Sequence, residues 1–186
     1  GLDAVIAATD LGRWQPPAGR GTREKILLDT LDETSFDLID DAFNANPASL
    51  AAALDVLIAA KPQDGVGRVG RGRRIAVLGD MLELGTTEID LHKAVASHPQ
   101  LAKIDIIHCV GPRMKHLWDM LPKTQRGQWH EAAPALAAHA RTLIDAGDIV
   151  LVKSSKGIKT SLVVDALRKL GQSLAAASGD ANKDQA

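Results

Sequence analysis

Short apolar runs alternate with helical stretches along this chain, and that alternation limits its fold more than any other feature. Arg74–Leu78, Ile104–Val110 and Asp148–Lys153 are nearly unbroken apolar segments of strand length. Residues 87–97, 113–121 and 158–170 follow them with helical spacing; the last would turn Ile158, Leu162, Val163, Ala166, Leu167 and Leu170 inward. Strands that are apolar on both faces belong to sheets covered on both sides. The pattern predicts an α/β fold: a Rossmann-like open, mainly parallel sheet with helices on both faces.

The first part of the chain adds a different unit. Residues 25–30 and 35–41 read as strands around a polar turn at Asp32-Glu33, which gives an antiparallel hairpin at the sheet's edge. Asn46-Pro47 signals a helix start, since Asn caps well and Pro suits the first helical position. Leu50, Leu54, Leu57 and Ile58 then mark one apolar face. Residues 61–72 carry four glycines and little apolar content, so an exposed, mobile loop is expected. Residues 128–131 suggest a short strand and 133–145 an Ala-rich helix.

A length of 186 residues suits one domain and a fraction. Prolines and glycines at 16–21 mark a boundary. Residues 1–21 are expected to be the end of a preceding domain plus a linker, 22–171 the C-terminal domain, and 172–186 a disordered tail.

Composition excludes several classes. A net charge of −1 offers no basic field for nucleic acid or an anionic membrane. One cysteine, Cys109, rules out an intrachain disulfide and lies in an apolar run that marks it as core. The six histidines have no metal-ligand spacing. No apolar stretch approaches the roughly 20 residues that span a bilayer. A P-loop pattern is absent, as is any nucleophile elbow or Ser-His-Asp arrangement.

Ligands of open α/β sheets bind beyond the C-terminal strand ends, which singles out three loops. The first is Asp41–Pro47. Asn44 and Asn46 each offer a donor and an acceptor, as an adenine edge does, and Asp41 suits ribose hydroxyls or a Mg²⁺ shell. The plain alternative makes Asn46 only a helix cap. The second loop is Gly79–Gly85, where Asp80 could hold a ligand ammonium or cap a turn. The third, Lys153–Lys159, sets Lys153, Ser154 and Ser155 before a helix, a favourable place for anions; there Ser155 could equally be a cap. Arg20, between two glycines, suits ribose or phosphate contact. His92 reads as a surface or packing residue. Three tryptophans, Trp14, Trp118 and Trp129, are too dispersed to stack a ligand.

Four stretches together resemble the Mur ligase family, the ATP-dependent enzymes that build the peptidoglycan stem peptide. They are Pro17-Ala-Gly-Arg-Gly21, Leu38-Ile-Asp-Asp-Ala-Phe-Asn-Ala-Asn-Pro47, Ala76-Val-Leu-Gly-Asp-Met-Leu-Glu-Leu-Gly85 with His92, and Val150-Leu-Val-Lys153. The third points to the branch that adds a D-alanyl-D-alanine dipeptide. Phe43 stands where the family motif has Tyr, and Ser154 where it has Gly.

The resemblance implies a C-terminal domain that closes over ATP, preceded by the last turns of a central ATPase domain. It implies a nucleotide side made of Arg20, Asp41, Asn44, Asn46 and Pro47. It also implies that Asp80, Lys153, Ser154 and Ser155 help hold the dipeptide or phosphates. Other expectations are ATP with Mg²⁺ held mainly by a P-loop domain, UDP-N-acetylmuramoyl-tripeptide as the other substrate, and a bacterial cytoplasmic monomer. No catalytic residue is expected in this chain itself. A nucleotide-binding module without synthetic role, or an interaction scaffold of the same shape, remains compatible with the fold.

Overall fold

The computed structural model describes residues 17–174. Seven strands form one sheet in the order β5-β4-β3-β6-β2-β1-β7. In chain order they are β1 (Thr22–Asp29), β2 (Thr34–Asp41), β3 (Arg74–Gly79), β4 (Ile106–Val110), β5 (Arg126–His130), β6 (Ile149–Lys153) and β7 (Gln172–Leu174). The helices are α1 (Pro47–Ala59), α2 (Glu88–Ala94), α3 (Met114–Met120), α4 (Ala133–Ala137), α5 (Ala140–Leu143) and α6 (Ser161–Arg168).

Five strands, β5-β4-β3-β6-β2, run parallel. β1 then pairs antiparallel with β2. The alternation of side chains along each parallel strand feeds two cores. Ala76, Leu78, Ile149 and Leu151 point to one face, under α1, α2 and α3. Ile75, Val77, Val150 and Val152 point to the other, under α4, α5 and α6. Burying a Leu- or Val-sized side chain is worth about 1.5–3 kcal/mol, and these strands do so on both faces, which is why they read as unbroken apolar runs.

Three expectations change. The predicted hairpin forms, but it is not the edge: Gln172–Leu174, assigned to a disordered tail, pairs antiparallel with β1 as the outermost strand. Residues 175–186 and residues 1–16, most of the segment expected to end a preceding domain, lie outside the described residues. The Ala-rich helix divides into α4 and α5, because His139 leaves helical geometry at φ −99°, ψ 6°. The 61–72 loop is largely exposed yet fastened. The Val69 amide donates to Asp145 Oδ2 at 2.8 Å, Gly72 to Asp64 Oδ1 at 2.9 Å, and Gln63 to the Gly147 carbonyl at 2.9 Å.

Candidate functional site

The C-terminal ends of the parallel strands gather the three predicted loops. Asp41 ends β2, Gly79 ends β3 and Lys153 ends β6. β6 lies between the other two, in register with both: Lys153 is level with Asp41 on one side and with Leu78 on the other.

Beside this edge sits the loop that carries Arg20. The Gly21 amide donates to the Asp40 carbonyl at 2.8 Å, and the Phe43 amide donates to the Gly19 carbonyl at 3.1 Å. That two-point backbone bridge requires Gly19 at φ +76°, where a Cβ would also lie 3.2 Å from the Phe43 Cβ. The result places the Arg20 guanidinium over the Phe43 ring, 4.3 Å from its centroid. Lys156 brings a second cation to 5.2 Å from the same ring. Such contacts contribute about 0.5–1 kcal/mol at exposed sites. Lys156 belongs to the third predicted loop, Lys153–Lys159, as a cation three residues past a strand end.

Arg20, Phe43, Asn44, Asn46 and Pro47 are all exposed, and Asp41 is half-buried. Asn46 is the N-cap of α1: its Oδ1 accepts from the Ser49 amide at 2.9 Å, and Ser49 Oγ accepts from the Asn46 amide at 3.0 Å. The cap uses only the carbonyl oxygen of that side chain. Its amide nitrogen has no partner among the described residues, so capping and ligand recognition are compatible in one residue. The sequence-predicted nucleotide side is therefore brought together as one solvent-facing cluster.

The four residues expected on the substrate side behave in the opposite way. Asp80 is fully buried. Its Oδ1 accepts from the Met114 amide at 2.7 Å and its Oδ2 from the Arg113 amide at 3.2 Å. It satisfies the start of α3, a helix that lacks a cap from its own preceding residue. Ser154 is also fully buried and hydrogen-bonds to Thr160 Oγ1. Its side chain fills the space left by Gly79, where a Cβ would come within 2.6 Å of the Ser154 Cβ. The side chain that replaces the family's glycine thus points into the protein. Lys153 donates from Nζ to Asp41 Oδ2 at 2.6 Å and to the Asn44 carbonyl at 2.9 Å. Ser155 accepts from the Leu82 amide at 2.9 Å. All four side chains thus act as internal ties between loops at this strand edge.

Neighbouring groups are structural as well. His92 is buried rather than at the surface, with Nε2 accepting from the Met81 amide at 3.0 Å. Cys109 is core as expected, and burial together with the Asp80 charge pushes its thiol well above the usual range. Trp118 and Trp129 each donate from Nε1 to a backbone carbonyl, of Gly127 and Gly111, and pack at the core's edge.

Comparison with known proteins matches this arrangement to one family. Residues 28–156 match the family described as Mur ligase, glutamate ligase domain. A UDP-N-acetylmuramoyl-tripeptide–D-alanyl-D-alanine ligase of Rickettsia prowazekii is 28% identical over 165 residues, covering 89% of this chain and 33% of that protein. A MurF crystal structure from Acinetobacter baumannii superposes with a TM-score of 0.69 at 22% identity, covering 91% of this chain and 34% of that one. The MurF ligase of Thermotoga maritima, solved in complex with ADP, gives 0.65 at 19% identity, covering 89% and 36%. At these identities the structures establish the fold. The chain spans about a third of the length of the curated relatives it matches.

Proposed function

We propose a role for this chain from one premise: it belongs to the Mur ligase family, and residues 28–156 carry that family's glutamate ligase domain. The whole protein is an ATP-dependent ligase that joins D-alanyl-D-alanine to UDP-N-acetylmuramoyl-tripeptide. It works as a monomer in the bacterial cytoplasm. This chain supplies the C-terminal domain, which contributes the adenine and ribose side of the ATP site. The observation that carries the reading is the exposed cluster of Arg20, Phe43, Asn44 and Asn46 at the end of β2, within a match to that family.

The chemistry is amide formation. The tripeptide carboxylate takes the γ-phosphoryl group of ATP and releases ADP. The dipeptide amine then attacks the acyl phosphate, the C–N bond forms, and inorganic phosphate leaves with the C–O electron pair. This chain's part is binding and orientation. The Phe43 ring offers a flat apolar face, the Asn44 and Asn46 amides offer donors to a base edge, and Arg20 offers a guanidinium to ribose or phosphate oxygens. Mg²⁺ enters the proposal as companion of the ATP phosphates. The described residues hold no cluster of three or more His, Cys, Asp or Glu fit to bind it, so no step is assigned to it in this domain. No helix among the described residues is long and apolar enough to cross a membrane.

The test is an NMR titration of the isotope-labelled chain with Mg-ADP, then with D-alanyl-D-alanine. Shifts clustered at Phe43–Pro47 with nucleotide are expected. Silence there, both in this chain and in one extended upstream, would remove the nucleotide reading.

A further inference from the structure

The Lys153 side chain is only 2% exposed, and its ammonium is held by acceptors inside the protein. Its two partners, Asp41 and the Asn44 carbonyl, lie 112 and 109 residues away in the chain. Asp41 ends β2 and is the register mate of Lys153 on β6, so the sheet itself fixes this ion pair. The Asn44 carbonyl, in contrast, lies in a stretch without helix or strand. It is held because Nζ reaches past Asp41 to it.

A second tie reinforces the first. Ser155 Oγ lies 3.4 Å from the Ala45 carbonyl, to which it donates. The backbone at 44 and 45 is thereby held from below by two β6-end side chains, while Phe43, Asn44 and Asn46 face solvent. A loop ordered in advance loses less freedom when a ligand arrives. Removal of one member of a buried pair leaves the other unsatisfied and frees the loop.

We propose that Lys153 is a positioning residue of the nucleotide loop: it sets the conformation of residues 41–46 and touches no ligand. The inference rests on the nucleotide reading above, and its two arms can fail separately.

The experiment compares the full labelled chain with Lys153→Met, Asp41→Asn and the double variant, with and without Mg-ADP. Without nucleotide, Lys153→Met should displace the amide resonances of Phe43–Asn46 and leave those of Leu54 and Leu57 in α1 near their places. Mg-ADP affinity should fall about tenfold. Asp41→Asn should add little once Lys153 is replaced, because members of one interaction are not additive. Unmoved loop resonances would overturn the proposal. Losses of affinity that multiply in the double variant would do so too, since they would make Lys153 an independent contact. If Lys153→Met does not fold, Lys153→Arg decides: it keeps the charge but replaces the compact ammonium with a larger planar fork. It should shift the same loop amides, and unchanged amides would again overturn the proposal. If the wild-type chain shows no response to Mg-ADP, the nucleotide reading is what fails, and the loop resonances alone still judge the strut.

Discussion

The Asp80 carboxylate lies at the start of α3, with Oδ1 2.7 Å from the Met114 amide. A residue at the end of one strand thus supplies the cap for the helix that follows another. Met114 and Leu117 of that helix are fully buried, so the cap bears on the core. Asp80→Ala leaves two backbone donors without acceptors and should destabilise the chain by roughly 3 kcal/mol. Asp80→Asn keeps an acceptor for one of them and should be milder. Urea unfolding of both variants is the check. Equal stability of Asp80→Ala and wild type would mean that the carboxylate does not cap α3.

Gly111 is the neighbour that makes this buried carboxylate possible. Its φ is +106°, and a Cβ there would lie 2.4 Å from the Asp80 Cγ. Gly111→Ala should therefore suffer both backbone strain and a clash, together roughly 3 kcal/mol. Part of that is a clash with one side chain, so Gly111→Ala combined with Asp80→Ala should lose less than the sum of the two. A strictly additive double variant, read from denaturant midpoints, would mean that the two residues do not share this space.

Asp80 and Lys153 also show where sequence reading runs out. Both stand at the C-terminal ends of parallel strands, where open sheets bind ligands, and by position both look like contacts. A sequence gives the end of a strand but not whether the next polar side chain points out or plugs a neighbour. Arg20, Asn44 and Asn46 sit on short irregular loops, where exposure is the ordinary expectation. The strands followed the same logic. Ile75–Leu78 and Ile149–Val152 are legible because burial on both faces leaves an apolar run. Gln172–Leu174 has no pattern of its own and becomes a strand only because β1 offers an open edge, a tertiary effect that local propensity does not contain.

Asn46 can be separated into its two roles by choice of substitution. Ser is as good a cap as Asn but has no amide group. Asn46→Ser should keep thermal stability near that of the wild type while weakening the Mg-ADP response. Asn46→Ala should lose about 1 kcal/mol of stability as well. Thermal unfolding and NMR titration of the pair are the measurements. An Asn46→Ser chain that responds to nucleotide like the wild type would leave Asn46 as a cap alone.

Acid should weaken this domain through a histidine far from the proposed site. His108 is buried in β4, with Nδ1 accepting from the Gln128 amide at 2.9 Å. Burial first, then the charges of Arg73 and His130, lowers its pKa to about 4. His130, which stacks on His139 with ring centroids 5.5 Å apart, is lowered too, by burial and then by that neighbour. The unfolded chain takes up a proton at each near pH 6.5, while the folded chain resists. The unfolded state then binds more protons, so stability falls as pH drops from about 6.5 toward 4. For His108 alone the loss between pH 6.5 and 5 is about 1.5 kcal/mol, and His130 adds to it with the same sign. Urea unfolding across that window should show the decline. His108→Leu should be less stable than wild type at pH 7.5, because the Gln128 amide loses its acceptor, but its pH dependence should be flatter. A slope unchanged by that substitution would assign the acid sensitivity to another group.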